Sequence, residues 1–228
     1  MKINIFLHHT FISDYLNPDS IVVDLGAGKG EFTKFITNKF GSKIYAVEPV
    51  PELFDKISSS PLIIKDRCCI SDKNGFRELN IIPNCCPTMH KSLDQTRVSR
   101  KIKVKVKNFK NFLDQYNINR VDLLKIDIEG EEFNLLKNID EKTLDRIHQI
   151  TVEFHDFLWP ELEKTADEIK KKLVSKKFYC ISFSLTNNGD VLFIKKNKIS
   201  FLNYIFLKYF LRYIMGFLRM VNKLKNKF

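Results

Sequence analysis

The sequence predicts an α/β fold, a doubly wound and mostly parallel sheet with a C-terminal antiparallel hairpin, on three observations. Short β-branched runs alternate with segments of helical periodicity from Ile21 to Lys137. Three of the eight glycines fall within five residues, directly behind the first of those runs. Two further apolar runs near the C-terminus are joined through Asn187-Asn188-Gly189, a hairpin signal.

Ile21 to Asp24 reads as a buried parallel strand, and Gly26, Gly28 and Gly30 behind it remove the Cβ atoms that would hold a ligand off the backbone. Glu31 to Asn38 carries Phe32, Phe35 and Ile36 at helical spacing, and Lys43 to Val47 is a second strand that ends at Glu48. An acid about 20 residues past such glycines can accept both hydroxyls of a ribose. A helix-like stretch from Pro51 to Ile57 precedes a strand near Leu62 to Lys65, and Asn74-Gly75 marks a turn after Ile70. Lys101 to Lys107 alternates strictly, which predicts a strand with one apolar and one lysine face. Phe109 to Tyr116 is an amphipathic helix. The strand from Val121 runs into Asp127, Glu129 and Gly130, ahead of a helix over Glu131 to Lys137. Ile150 to His155 is a further strand, and Phe178 to Leu185 with Val191 to Lys195 form the hairpin.

In open sheets of this kind the ligand sits at the carboxyl ends of the strands, near the point where the strand order reverses. Asp24, Glu48, Asp127, Glu129 and His155 all lie at or just past strand ends, so the topology gathers them on one edge. A turn with no ligand explains neither Asp24 nor Glu48.

At 228 residues the chain suits one α/β domain, 1–198, and a tail, 199–228. The five cysteines match no zinc spacing and read as apolar residues or surface thiols in a reduced, cytoplasmic setting. Met1 to Thr10 is too short and polar for a secretory signal. His8, His9, His90 and His148 are given no role.

The spacing Asp24-x-Gly26-x-Gly28-x-Gly30 resembles motif I of the class I S-adenosylmethionine-dependent methyltransferases, with Glu48 as the ribose acid. Val121 to Lys137, Ile70 to Gly75 and Val152 to His155 resemble the signatures of the FkbM-type members of that class. The resemblance spans residues 18 to 196. It implies a Rossmann-like seven-stranded fold, S-adenosylmethionine as cofactor, and O-methylation of a glycan, glycolipid or polyketide-type product. It places cofactor contacts at Asp24, Gly26, Gly28, Gly30, Glu48, Ser71, Asp72 and Asp127. Asp127, Glu129 and His155 would face the substrate. One departure is Glu131, where the family usually carries alanine.

Methyl transfer to oxygen is helped by a base that accepts the hydroxyl proton. His155 is the first candidate, because an ordinary imidazole titrates near neutrality, and Asp127 is the second. Asp127, Glu129 and Glu153 are also hard ligands compatible with a divalent metal ion, although no spacing demands one and none is assigned.

The tail carries six basic residues and no acid, against a net charge of +11 for the chain. As one helix, Lys208, Arg212, Arg219 and Lys223 share a narrow stripe beside a broad aromatic surface. A helix lying on a membrane, peripheral to its inner face, is expected, with docking on the domain or a dimer contact as the competing arrangement. Two alternatives to the glycan or glycolipid enzyme stand at this point. Methylation of RNA or protein is suggested by the basic charge and opposed by Asp127-Ile-Glu-Gly in place of an Asn/Asp-Pro-Pro-aromatic segment. An inactive membrane-surface binding protein is opposed by the intact acids and His155.

Overall fold

The computed structural model describes residues 1–82, 88, 89, 98–185 and 187–214. Arg219, Lys223 and His90, named above, and two of the five cysteines, Cys85 and Cys86, lie outside them.

The expected sheet is present. Seven strands run in the order β11-β12-β10-β9-β3-β4-β5. They are β3 (Ile21–Leu25), β4 (Lys43–Val47), β5 (Ile63–Asp66), β9 (Leu123–Ile126), β10 (Gln149–Val152), β11 (Phe178–Ser182) and β12 (Val191–Lys195). All neighbours from β5 to β10 pair in parallel, and β12 is antiparallel to both β10 and β11. The order reverses between β3 and β9, which is where a crevice opens at the carboxyl ends.

Helices cover both faces because the parallel strands are apolar on both sides. These are α1 (Glu31–Phe40), α2 (Pro51–Phe54), α3 (Phe109–Gln115), α4 (Glu132–Asn138), α5 (Glu141–Asp145) and α6 (Glu163–Ser175). The main core joins Val23, Leu124 and Val152 of the sheet to Phe112, Leu136 and Ile169 of the helices, each 1 % exposed or less. A second core on the other face joins Phe11 and Val22 to Phe32 and Ile36. The period-2 lysine strand is β8 (Arg100–Asn108), which pairs with β6 (Cys69–Ser71) and β7 (Gly75–Ile81) in a separate three-stranded sheet. Lys101, Lys103 and Lys105 are exposed as predicted, while Lys107 turns inward to Asp66.

Helices α5 and α6 carry no sequence expectation, although Ala166, Ile169 and Leu173 mark the buried stripe of α6. Nor does the N-terminal hairpin of β1 (Ile3–Phe6) and β2 (His9–Ile12). Side chains tie β2 to the domain: Asp190 accepts the Thr10 amide at 3.0 Å, and Gln149 exchanges hydrogen bonds with the Ile12 backbone at 3.0 and 2.9 Å.

The tail begins as α7 (Phe201–Phe206), capped by Ser200, and continues through a π-turn at Leu207–Leu211 to residue 214. Leu207, Tyr204 and Leu211 pack on Ile181, Phe183, Leu192 and Ile194. Lys208 and Arg212 are half-buried beside that seam, so the outermost surface of the helix is aromatic and not basic.

Candidate active site

The glycine loop after β3 is shaped by contact with the loop after β9. Gly26 has φ +76°, and a Cβ there would lie 1.7 Å from the Asp127 carbonyl oxygen. Only a residue without a side chain lets the two strand ends meet. Gly28, at φ +56°, has open space where a Cβ would stand, and its amide donates to Glu48 Oε2 at 2.8 Å. Gly30 starts α1 and packs on Ile57, 3.1 Å from where its Cβ would be, off the wall of the crevice.

Glu48 caps the crevice floor. Its second oxygen accepts the Val50 amide at 2.9 Å, and the residue is 5 % exposed. Burial pushes its carboxyl up to about 7, against the pull of the two amides. Each oxygen keeps a lone pair for a donor from a ligand.

These groups line a cavity of about 190 Å³. Val47, Val50, Leu53, Leu79 and Met89 make its apolar walls, together with Cys69 and Ile70. Burial pushes the Cys69 thiol up to about 12, so it is a neutral apolar contact, and Cys68 beside it is raised for the same reason. Asp127, Ile128, Glu129 and Glu131 close the far end.

Besides Gly30, three expected cofactor contacts are placed elsewhere. Asp24 is fully buried and does not reach the cavity: Thr33 Oγ1 donates to it at 2.7 Å and Lys125 Nζ lies 3.1 Å away. Its effect on the loop runs through Lys125, whose ammonium also donates to the Gly26 and Leu25 carbonyls at 2.6 and 3.3 Å. Ser71 and Asp72 also face away. Ser71 donates to Glu131 and Asp72, and Arg77 binds Glu131 at 2.9 Å and Asp72 at 3.7 Å. Glu131, the departure from the family pattern, draws the Ser71 hydroxyl there, because a buried carboxylate needs donors, and Arg77 and Asn138 hold Asp72.

The acceptor side is a chain of charges around Asp127. Its Oδ2 lies 3.6 Å from Lys125 Nζ and 3.5 Å from His9 Nε2, and its Oδ1 lies 3.7 Å from His155 Nε2. Burial alone would raise the Asp127 carboxyl, but Lys125 and the two histidines outweigh it and hold it well below the usual range. Lys125 itself is raised: burial opposes its charge, and Asp24 and Asp127 more than compensate.

The surroundings of His155 oppose the role of base that the sequence suggested. Its Nδ1 is 3.1 Å from Glu132, its Nε2 is 3.2 Å from Glu129, and its backbone amide also donates to Glu132 at 3.0 Å. Burial pulls its pKa down, but the bonds to Glu129 and Glu132 raise it to about 11. With a carboxylate on each nitrogen the ring is an imidazolium with no lone pair to offer.

Three functional groups were missed. Lys125 is a charge inside an apolar strand, a signal that was readable. Glu132 is fully buried at the start of α4, and its partner His155 is 23 residues away. His9 arrives on the unpredicted hairpin. Its Nδ1 is 3.4 Å from Thr151 Oγ1, and burial lowers its pKa, so it is neutral.

Glu153 is the remaining acid. Its backbone amide donates to the Ile126 carbonyl at 3.1 Å, but its carboxylate makes no hydrogen bond or ion pair among the described residues. Burial, then repulsion from Asp127 and Glu129, pushes it up to about 7. Asp127, Glu129 and Glu153 do not form one ligand set. Two groups have metal-ligand spacing, each with donor atoms within 4.8 Å: His9-Asp127-Glu153 and Asp127-Glu129-His155. In the second, His155 is one of the three ligand residues and its ring would give up the Nε2 proton to hold an ion, and Lys125 lies 3.6 Å from the shared Asp127.

The fold, the glycine loop and the strand-end acids agree with one family model, the methyltransferase FkbM domain, which matches residues 24–180. The chain belongs to the FkbM methyltransferase family. Among its relatives, methyltransferase sdnD of Sordaria araneosa is 27 % identical over 65 % of this chain and 71 % of its own length. The 31-O-demethyl-FK506 methyltransferase FkbM of Streptomyces tacrolimicus is 24 % identical over 62 % and 67 %. The crystal structure of a methyltransferase FkbM from Methylobacillus flagellatus KT superposes with TM-score 0.51 at 12 % identity, over 78 % of this chain and 44 % of that one.

This FkbM-family chain is an S-adenosylmethionine-dependent methyltransferase, and the cavity fits that cofactor. Glu48 suits the ribose hydroxyls, the wall of Val50, Leu53, Cys69 and Ile70 suits a flat base, and the anionic Asp127 end suits an ammonium group. Bound there, S-adenosylmethionine supplies an electrophilic methyl carbon on a sulfonium.

Proposed function

We propose that this methyltransferase modifies a hydroxyl group of a glycan, glycolipid or related natural product, and that Glu153 accepts the hydroxyl proton. The observation that carries the reading is the Glu153 carboxylate, unpaired among the described residues and within 4.8 Å of the Asp127 and His9 donor atoms; Asp127 lines the cavity, and Glu153 stands next to it without lining the cavity itself. A hydroxyl is a poor nucleophile until its proton is leaving, and a base whose pKa lies near the working pH helps most. Asp127 is held too acidic by Lys125 to serve, and His155 is already protonated. Glu153, near 7, is matched to the task.

A relative named for acting on 31-O-demethyl-FK506 supports oxygen as the acceptor atom. The other groups orient. The imidazolium of His155 holds Glu129 in place, and Asp127 with Lys125 fixes the end of the glycine loop.

An acceptor screen with labelled S-adenosylmethionine, run against glycan, lipid and RNA fractions, tests the substrate class. Label in a glycan or lipid fraction supports the reading, and label confined to RNA overturns it. For the base, Glu153→Gln lowers kcat roughly 10²- to 10⁴-fold while calorimetric cofactor binding is kept. Unchanged kcat in that variant would remove Glu153 from the mechanism.

A further inference from the structure

We propose that the C-terminal helix, residues 201–214, lies flat in the surface of an anionic lipid bilayer with its outward aromatic face inserted.

The helix is fixed to the domain by one narrow seam. Leu207 is fully buried there, and the Tyr204 ring stacks on Tyr179 with centroids 3.9 Å apart and planes 9° from parallel. Everything on the opposite side faces water. Leu202, Phe206, Tyr209, Phe210, Tyr213 and Ile214 are each 43–79 % exposed, and Phe206 and Phe210 stack at 5.3 Å without covering one another. Six large apolar side chains on four turns form a contiguous patch, which marks a binding surface on a soluble domain. The domain core already has its own covering helices, so the patch adds nothing to folding.

The charges choose the occupant. Lys208 and Arg212 lie along the border between seam and patch. The Lys208 ammonium donates to the Tyr204 hydroxyl at 3.0 Å and sits over the Tyr209 ring at 5.3 Å, and the Arg212 guanidinium sits over the Tyr213 ring at 5.8 Å. Cations level with the rim of an inserted aromatic face meet lipid phosphates. Residues 199–228 hold six bases and no acid, so the same segment attracts an anionic leaflet over its whole length. A second copy of this chain seated on the patch would bring Lys208 and Arg212 of both copies together, like charge against like. Among the described residues no helix is long and apolar enough to cross a membrane.

The test is flotation of the full chain with phosphatidylcholine vesicles, with and without phosphatidylglycerol. The wild type floats with the anionic vesicles and far less with neutral ones. Phe206→Ser/Phe210→Ser lowers partition on the anionic vesicles roughly tenfold or more. Lys208→Glu/Arg212→Glu weakens the preference for phosphatidylglycerol. Unchanged melting temperatures confirm that the exposed substitutions leave the fold alone. Equal flotation of the wild type and the double serine variant overturns the proposal. So does a concentration-dependent dimer that the same serine substitutions dissolve, which would assign the patch to a second copy.

Discussion

Lys125→Met removes the cation on which both halves of the site depend. In the wild type the ammonium is 4 % exposed and lies 3.1 Å from Asp24, 2.6 Å from the Gly26 carbonyl and 3.6 Å from Asp127. Methionine fills the stem volume but leaves the fully buried Asp24 with only the Thr33 hydroxyl. Breaking a buried pair from one side costs about 3–5 kcal/mol, because the abandoned charge stays buried. At about 2–4 °C per kcal/mol for a chain of this size, the melting temperature falls by roughly 6–20 °C. Adding Asp24→Asn removes the stranded charge, so the double variant recovers part of the loss, with a coupling of about 1–3 kcal/mol. Calorimetric titration of the folded Lys125→Met protein shows S-adenosylmethionine affinity weakened roughly tenfold, since one hydrogen bond that sets the glycine loop is gone. The reasoning fails if Lys125→Met melts within about 2 °C of wild type, or if Asp24→Asn deepens its loss.

Gly26→Ala drives a Cβ to within 1.7 Å of the Asp127 carbonyl oxygen, so it destabilises the chain by at least about 3 kcal/mol in urea unfolding and abolishes cofactor binding, whereas Gly28→Ala folds. The folded His155 pKa, about 11, lies above the ordinary 6.5. Its stabilisation is therefore complete below pH 6.5 and lost as pH rises toward 11. The urea midpoint of the wild type should decline across that window, and more shallowly in His155→Gln. Glu48 titrates at about 7, and ribose hydroxyls need the carboxylate as acceptor, so affinity for S-adenosylmethionine weakens as pH falls below 7 by up to about tenfold per unit. Titrations at pH 6 and 8 check this, and Glu48→Gln flattens the difference.

Particular residues show where sequence reading reaches its limit. The strand ending at Glu48 and the glycines ahead of it are local, and both were placed correctly because a buried strand and a tight turn are encoded in neighbouring residues. Asp24 was placed on the right strand but on the wrong side of it, since a period of two cannot say which face meets the ligand. His155 was judged by its ordinary pKa, which held no information about Glu132 from α4. His9 was dismissed because a histidine in a short polar N-terminus carries no periodic signal of its own. The hairpin that delivers it is held by Asp190 and Gln149, far along the chain.

By itself the sequence determined the strands and helices around the glycine loop, the parallel sheet and the acids at the strand ends, and the resemblance of the glycine loop to motif I supplied the cofactor class. The elements follow from short-range steric and hydrophobic patterns that any neighbouring segment would respect. Protonation and pairing were decided by the tertiary structure alone. Asp127 is made acidic by Lys125, His155 is made cationic by Glu129 and Glu132, and Glu153 is left as the acid without a partner. A charge takes its state from whatever lies within a few ångströms in space, and most of those neighbours are distant in the chain.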